Sequence, residues 1–85
     1  MLTLYRNTGE SIRIFNENTK SENHLTLISY RHPTCKLRIG DELMIKKVPQ
    51  SLELEIEECV ITILSIDRGV KFGLVAPKYV KINRV

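Results

Sequence analysis

The chain has 85 residues, enough for one domain with a small core. Its two cysteines, Cys35 and Cys59, exclude a disulfide framework, and no apolar run approaches the ~20 residues of a membrane helix. The net charge of +3 is mild, so only its distribution along the chain can point to a partner.

In chain order the pattern is β almost throughout. Leu2 and Leu4 alternate with Thr3 and Tyr5, which predicts a half-buried strand. Asn7-Thr8-Gly9 is a turn signal, and Ser11 to Phe15 resumes a strand with Ile12 and Ile14 on one face. Asn16 to Asn23 holds no apolar residue and reads as a loop. His24 to Tyr30 alternates again until His32-Pro33, where a proline cannot donate to a ladder. Lys36 to Val48 reads as strand, turn at Gly40-Asp41, strand. Pro49-Gln50-Ser51 is a connection. Leu52, Leu54 and Ile56 alternate with Glu53, Glu55 and Glu57, and helical spacing would scatter those apolar residues, so a strand is the better reading than the competing helix.

Val60 to Ile66 is the most apolar stretch. Asp67-Arg68-Gly69 predicts a tight hairpin with Val70 to Val75, and Gly73 inside that strand predicts a bulge or a close backbone approach. After the Ala76-Pro77-Lys78 turn, Tyr79 to Val85 is a last strand, with Val80, Ile82 and Arg84 on one face. A chain of many short strands has edges to protect, and a homodimer that pairs edge strands would stabilise both edge and core.

Charge divides the chain. From Asp41 to Glu58 the acids Asp41, Glu42, Glu53, Glu55, Glu57 and Glu58 face only Lys46 and Lys47. From Arg68 onward Arg68, Lys71, Lys78, Lys81 and Arg84 face no acid at all. An electrostatic function is therefore expected on the C-terminal part, with nucleic acid as the usual polyanion for a small basic β-surface.

The two ends together resemble the carbon storage regulator (Csr/Rsm) family of dimeric RNA-binding translational regulators. At the start the resemblance rests on Leu2, Leu4, Arg6, Gly9 and Glu10. Near the end it rests on Val70, Lys71, Phe72, Gly73, Ala76, Pro77, Lys78, Val80, Ile82 and Arg84, with Val60 to Ile66 fitting the family's third strand. It covers about half the chain. The family joins its second and third strands almost directly, whereas here a segment of about 15–59 intervenes. In an alternative alignment, Leu37 to Ile45 takes the second-strand place. Asn7 stands where the family usually has another arginine, and the family normally continues past the position of Arg84 into a helix.

The resemblance implies a single domain, residues 1–85, of all-β class: a small antiparallel sheet domain forming an intertwined homodimer, with a β-rich insertion. It implies a cytoplasmic regulator that binds GGA-containing loops in mRNA leaders or small RNAs and blocks ribosome access. Carried over residue by residue, the RNA contacts are Leu4, Tyr5 and Arg6, then Ala76, Pro77 and Lys78, then Val80, Ile82 and Arg84. Unstacked bases offer edges to strand backbone and faces to apolar side chains, while Arg84 suits guanine or phosphate and Lys78 suits phosphate. The acidic insertion is expected to lie away from that face.

Each of these residues also has a plain reading: Leu4, Val80 and Ile82 as core, Arg84 as a solvated charge, Pro77 and Gly73 as backbone punctuation. His24, His32, Cys35 and Cys59 lack zinc-finger spacing, so buried free thiols and no metal or cofactor are expected. No nucleophile motif, phosphate loop or carboxylate pair marks an enzyme. The interrupted start, Met1 to Glu10, lacks a signal-peptide core, which favours a reduced, cytoplasmic setting without a membrane partner. The alternative function is a Csr-like scaffold acting through protein–protein contact, as a heterodimer or modulator, with the insertion as a protein-binding element.

Overall fold

The computed structural model describes residues 1–48 and 54–85. Among them nine strands and no helix form: β1 Leu2–Arg6, β2 Ser11–Asn16, β3 Ser21–Arg31, β4 Thr34–Ile39, β5 Glu42–Lys47, β6 Leu54–Ile56, β7 Cys59–Ile66, β8 Val70–Val75 and β9 Val80–Arg84. The strand reading of Leu54 to Ile56 holds; its earlier part, Leu52 and Glu53, and the connection Pro49 to Ser51 lie outside the described residues.

Two antiparallel sheets share one core. The order is β1-β8-β7-β6 in one and β5-β4-β3-β2-β9 in the other. Alternation along each strand supplies the inner faces: Ile12 and Ile14 from β2, Leu25 and Leu27 from β3, Leu37 from β4, Ile61 and Ile63 from β7, Phe72 and Leu74 from β8. Each such side chain contributes roughly 1.5–3 kcal/mol by leaving water. The segment 15–59 is thus no appendage. Its strands β3 to β5 make more than half of one sheet, and β6 closes an edge of the other.

The terminal strands change sheets. β1 pairs with β8, in a register running from Leu2↔Leu74 to Arg6↔Val70, while β9 pairs with β2 from Asn16↔Val80 to Ile12↔Arg84. Short turns tie them: Asn7 to Glu10 links β1 to β2, and Ala76 to Tyr79 links β8 to β9. One chain therefore completes both pairings within itself.

Three local features depart from the sequence reading or sharpen it. The polar segment expected as a loop is a loop only over residues 17–20; Ser21, Glu22 and Asn23 belong to β3, where they pair with Asn16, Phe15 and Ile14. Here cross-strand hydrogen bonding outweighs the lack of apolar residues. The β7–β8 hairpin turns through the three residues Asp67, Arg68 and Gly69, since Ile66 pairs with Val70. Its Gly69 has φ +133°, and a Cβ there would stand 2.9 Å from the Arg6 carbonyl oxygen, so the tip packs against the end of β1.

The β6–β7 turn is the third. Ile56 pairs with Cys59, leaving Glu57 (φ 52°) and Glu58 (φ 67°) as a two-residue hairpin loop. Positive φ at both positions is a type I′ arrangement that ordinarily selects Asn-Gly. Two glutamates hold it because their side chains are tied down. Asn23 Nδ2 donates to Glu57 Oε1 at 3.2 Å, Asn16 Nδ2 donates to Glu58 Oε2 at 3.0 Å, and the Tyr79 hydroxyl donates to Glu58 Oε1 at 2.8 Å. Asn16 is the one buried polar side chain among the described residues; its Oδ1 accepts from the Asn18 and Thr19 amides. The carboxylate of Glu58 favours the protonated Tyr79 hydroxyl and raises its pKa.

Candidate nucleic-acid interface

The nine residues expected to touch RNA fall into three environments. Leu4 (5% exposed) and Val80 (6% exposed) are core residues, so only their backbone can meet a ligand. Arg6, Ala76, Pro77 and Ile82 are half-buried, while Tyr5, Lys78 and Arg84 are exposed. β1 and β9 are both outermost strands, one in each sheet, and each leaves one row of backbone groups unpaired among the described residues. Arg6 and Arg84 both occupy the inward phase of their strands, at the end where Asn7 to Glu10 turns; Ser11 and Val85 exchange backbone hydrogen bonds beside Arg84. Arg6 is held locally, its Nε donating to the Tyr5 carbonyl at 2.6 Å and lying 4.0 Å from Glu10. Lys71 Nζ sits 5.7 Å from the centre of the Tyr5 ring.

Carboxylates reach one end of this region. Glu58 is hydrogen-bonded to Tyr79 and Glu17 lies 3.7 Å from Lys81. The expectation that the insertion's acids all lie away from the site is corrected at this point: the turn network brings Glu58 to the β8–β9 loop. At the other end Glu10 reaches Arg6, while no carboxylate lies within ion-pair distance of Arg84 among the described residues.

The larger basic surface is on the outside of the five-stranded sheet. Strand phase puts Arg13 and Phe15 of β2, Arg31 of β3, Lys36 and Arg38 of β4, Lys47 of β5 and Lys81 of β9 on the outer face of the five-stranded sheet. Cross-strand pairs Arg38↔Leu43 and Lys36↔Ile45 set cations beside exposed aliphatic side chains. A shallow cleft of about 300 Å³ opens there between Tyr30, Arg31, Lys36 and Ile45. The acids of this face are Glu17, 3.7 Å from Lys81 at the β9 side, and Glu22, which accepts from Arg13 Nε at 2.6 Å and contacts His24 at 3.1 Å. Those two hydrogen bonds hold the Glu22 carboxyl below its usual range. Arg13 also lies 5.1 Å from the Phe15 ring centre. Among the described residues no carboxylate lies within ion-pair distance of Arg31, Lys36, Arg38 or Lys47. Alternation within Thr34 to Ile39 was the signal in the sequence: once that segment is a strand, Lys36 and Arg38 share a face opposite Cys35 and Leu37.

Cys35 and Cys59 are free and buried, as the sequence reading had them. Burial pushes both thiols up, that of Cys59 to about 11, which makes them poor nucleophiles and poor metal ligands. No group of three His, Cys, Asp or Glu side chains gathers to hold a metal among the described residues. No family model matches the chain, and no curated protein or solved structure matches it either.

Proposed function

We propose that this chain is an RNA-binding post-transcriptional regulator working as a homodimer. In this reading it binds single-stranded GGA-type loops of mRNA leaders or small RNAs and blocks ribosome access. The observation that carries the reading is the basic outer face of the five-stranded sheet, cations interleaved with Phe15, Leu43 and Ile45, reaching Lys81 on the open β9 edge, whose end carries the exposed Arg84 in the opposite phase. Splayed bases stack on apolar side chains and read strand-edge backbone, while phosphates follow the cations. The bases of a loop would sit along the open β9 edge near Arg84, and the flanking backbone would cross Arg13, Arg38 and Lys36. GGA recognition comes from the family resemblance alone. Intertwining is compatible with the sheet order, since the β1–β8 and β9–β2 registers would be the same if two copies exchanged their terminal strands.

The experiment is a titration against a GGA hairpin and a scrambled loop over a range of salt. Arg84→Ala should cost about 1–3 kcal/mol on the GGA loop and little on the scrambled one. Lys36→Glu with Arg38→Glu should weaken both RNAs alike and flatten the salt dependence. Wild-type protein that binds neither RNA ends the reading. A second reading, a protein-binding scaffold, is favoured by the exposed apolar group Met1, Tyr5, Leu64 and Val75 outside the four-stranded sheet. It predicts no GGA-dependent binding.

A further inference from the structure

The outermost strand β5 is written so that it complements itself. Its sequence with the preceding turn residue is Asp41-Glu42-Leu43-Met44-Ile45-Lys46-Lys47: acids, then apolar residues, then bases. It lies at the end of the five-stranded sheet, with only β4 beside it among the described strands. Leu43 is 55% and Ile45 70% exposed. None of Asp41, Glu42, Lys46 and Lys47 makes an ion pair with the described residues of its own chain.

We infer that β5 joins two copies of this chain, antiparallel, about a two-fold axis through Met44. In that register Leu43 lies opposite the partner's Ile45. Glu42 meets the partner's Lys46 and Asp41 the partner's Lys47, and the symmetry repeats each pair. The backbone agrees. Ile39 and Glu42 close a two-residue turn, Gly40-Asp41, with Gly40 at φ 59°. The N–H and C=O groups of Glu42, Met44 and Lys46 therefore aim at β4, and those of Leu43 and Ile45 aim outward. In the proposed register the outward groups of Leu43 bond those of the partner's Ile45, and Met44 faces its own copy at the core edge.

Other registers fail on chemistry. A shift by two residues sets Leu43 against Lys47 and Met44 against Lys46, or leaves both lysines without acids. A shift by one turns the inner side of one sheet into the outer side of the other. The remaining edges lack this pattern: β1 and β9 carry no acid, and β6 would oppose Glu55 to itself. The inference does not rest on the RNA reading, and its test contains no RNA.

The test is charge exchange followed by light scattering and native mass. One variant is Lys46→Glu with Lys47→Glu; the other is Asp41→Lys with Glu42→Lys. Wild type is expected at twice the 9.8 kDa chain mass. Each variant alone should dimerise at least about a hundredfold more weakly, because like charges then face each other. An equal mixture should return as a mixed dimer, which also shows that both variants are folded. A monomeric wild type overturns the inference. So do variants that each keep the dimer mass, as a dimer built on exchanged β1 and β9 would, and so does a mixture that stays monomeric.

Discussion

Outside the four-stranded sheet, a Cβ at Gly73 would come within 2.7 Å of the Met1 sulfur and 3.2 Å of a Leu64 methyl, and Tyr5 and Val75 are exposed on the same side. Outside the five-stranded sheet, Lys36 and Arg38 stand in rows with Ile45 and Leu43. The two layers share one core yet offer different chemistry to water. Three of the five strands of the basic layer, β3 to β5, come from residues 15–59, where eight acids stand against six bases along the chain. Several of those acids stand in turns (Glu17, Asp41, Glu57, Glu58), while strand alternation puts Arg31, Lys36, Arg38 and Lys47, but not Lys46, on the outer side. Charge per segment therefore misjudges charge per face, and only the strand phase converts one into the other.

Four measurements would break or sharpen this contrast. Phe72→Ala tests whether the layers are one unit. Phe72 is 1% exposed in the shared core, and the cavity should cost about 3–5 kcal/mol, with both sheets losing amide protection together. Independent melting of the basic sheet would refute a common core.

Alkaline titration probes the same core through Cys59. Its folded pKa, about 11 against an ordinary 9.0, lies above the unfolded value. The thiol's contribution is complete below pH 9 and is lost as pH climbs through 11, to a limit of about 3 kcal/mol for a shift of that size. Cys59→Val should flatten the stability profile in that window, and an unchanged profile would show that the thiol is not what titrates.

Asn16→Ala cuts the link between the β2–β3 turn and the Glu57-Glu58 turn. Loss of its buried hydrogen bonds should cost about 1–3 kcal/mol and expose the β6–β7 amides first in hydrogen exchange. Uniform loss of protection would mean that Asn16 serves the core and not the link.

Gly73→Ala is the mildest. The added methyl meets only the ends of Met1 and Leu64, which can move, so stability should stay within about 0.5 kcal/mol of wild type. RNA affinity should not change, because Gly73 lies on the other layer.

Most strand positions were legible because alternation is local. Ile12 and Ile14, Leu25 and Leu27, and Ile61 and Ile63 signal buried sides without reference to any partner strand. What alternation cannot carry is pairing. Nothing within Leu2–Arg6 or Val80–Arg84 tells that the first belongs to one sheet and the second to the other, and Ser21 to Asn23 become strand only through the residues opposite them. The Glu57-Glu58 loop was illegible for a related reason: its left-handed residues are held by Asn16, Asn23 and Tyr79, all remote in sequence. Of the nine candidate RNA contacts, the exposed Tyr5, Lys78 and Arg84 keep usable side chains, whereas Leu4 and Val80 follow their plain reading as core.

The alternation of β5 carries one more consequence. Its axis of symmetry stands upright on the sheet, so two joined copies turn their lysines and arginines toward the same side. Ten strands would then form a single cationic plate roughly 45 Å across, with Leu43 and Ile45 along its midline. An RNA long enough to cross that midline would hold the two copies together as it binds. Its apparent affinity would therefore rise with protein concentration, while a short loop would bind with no such dependence.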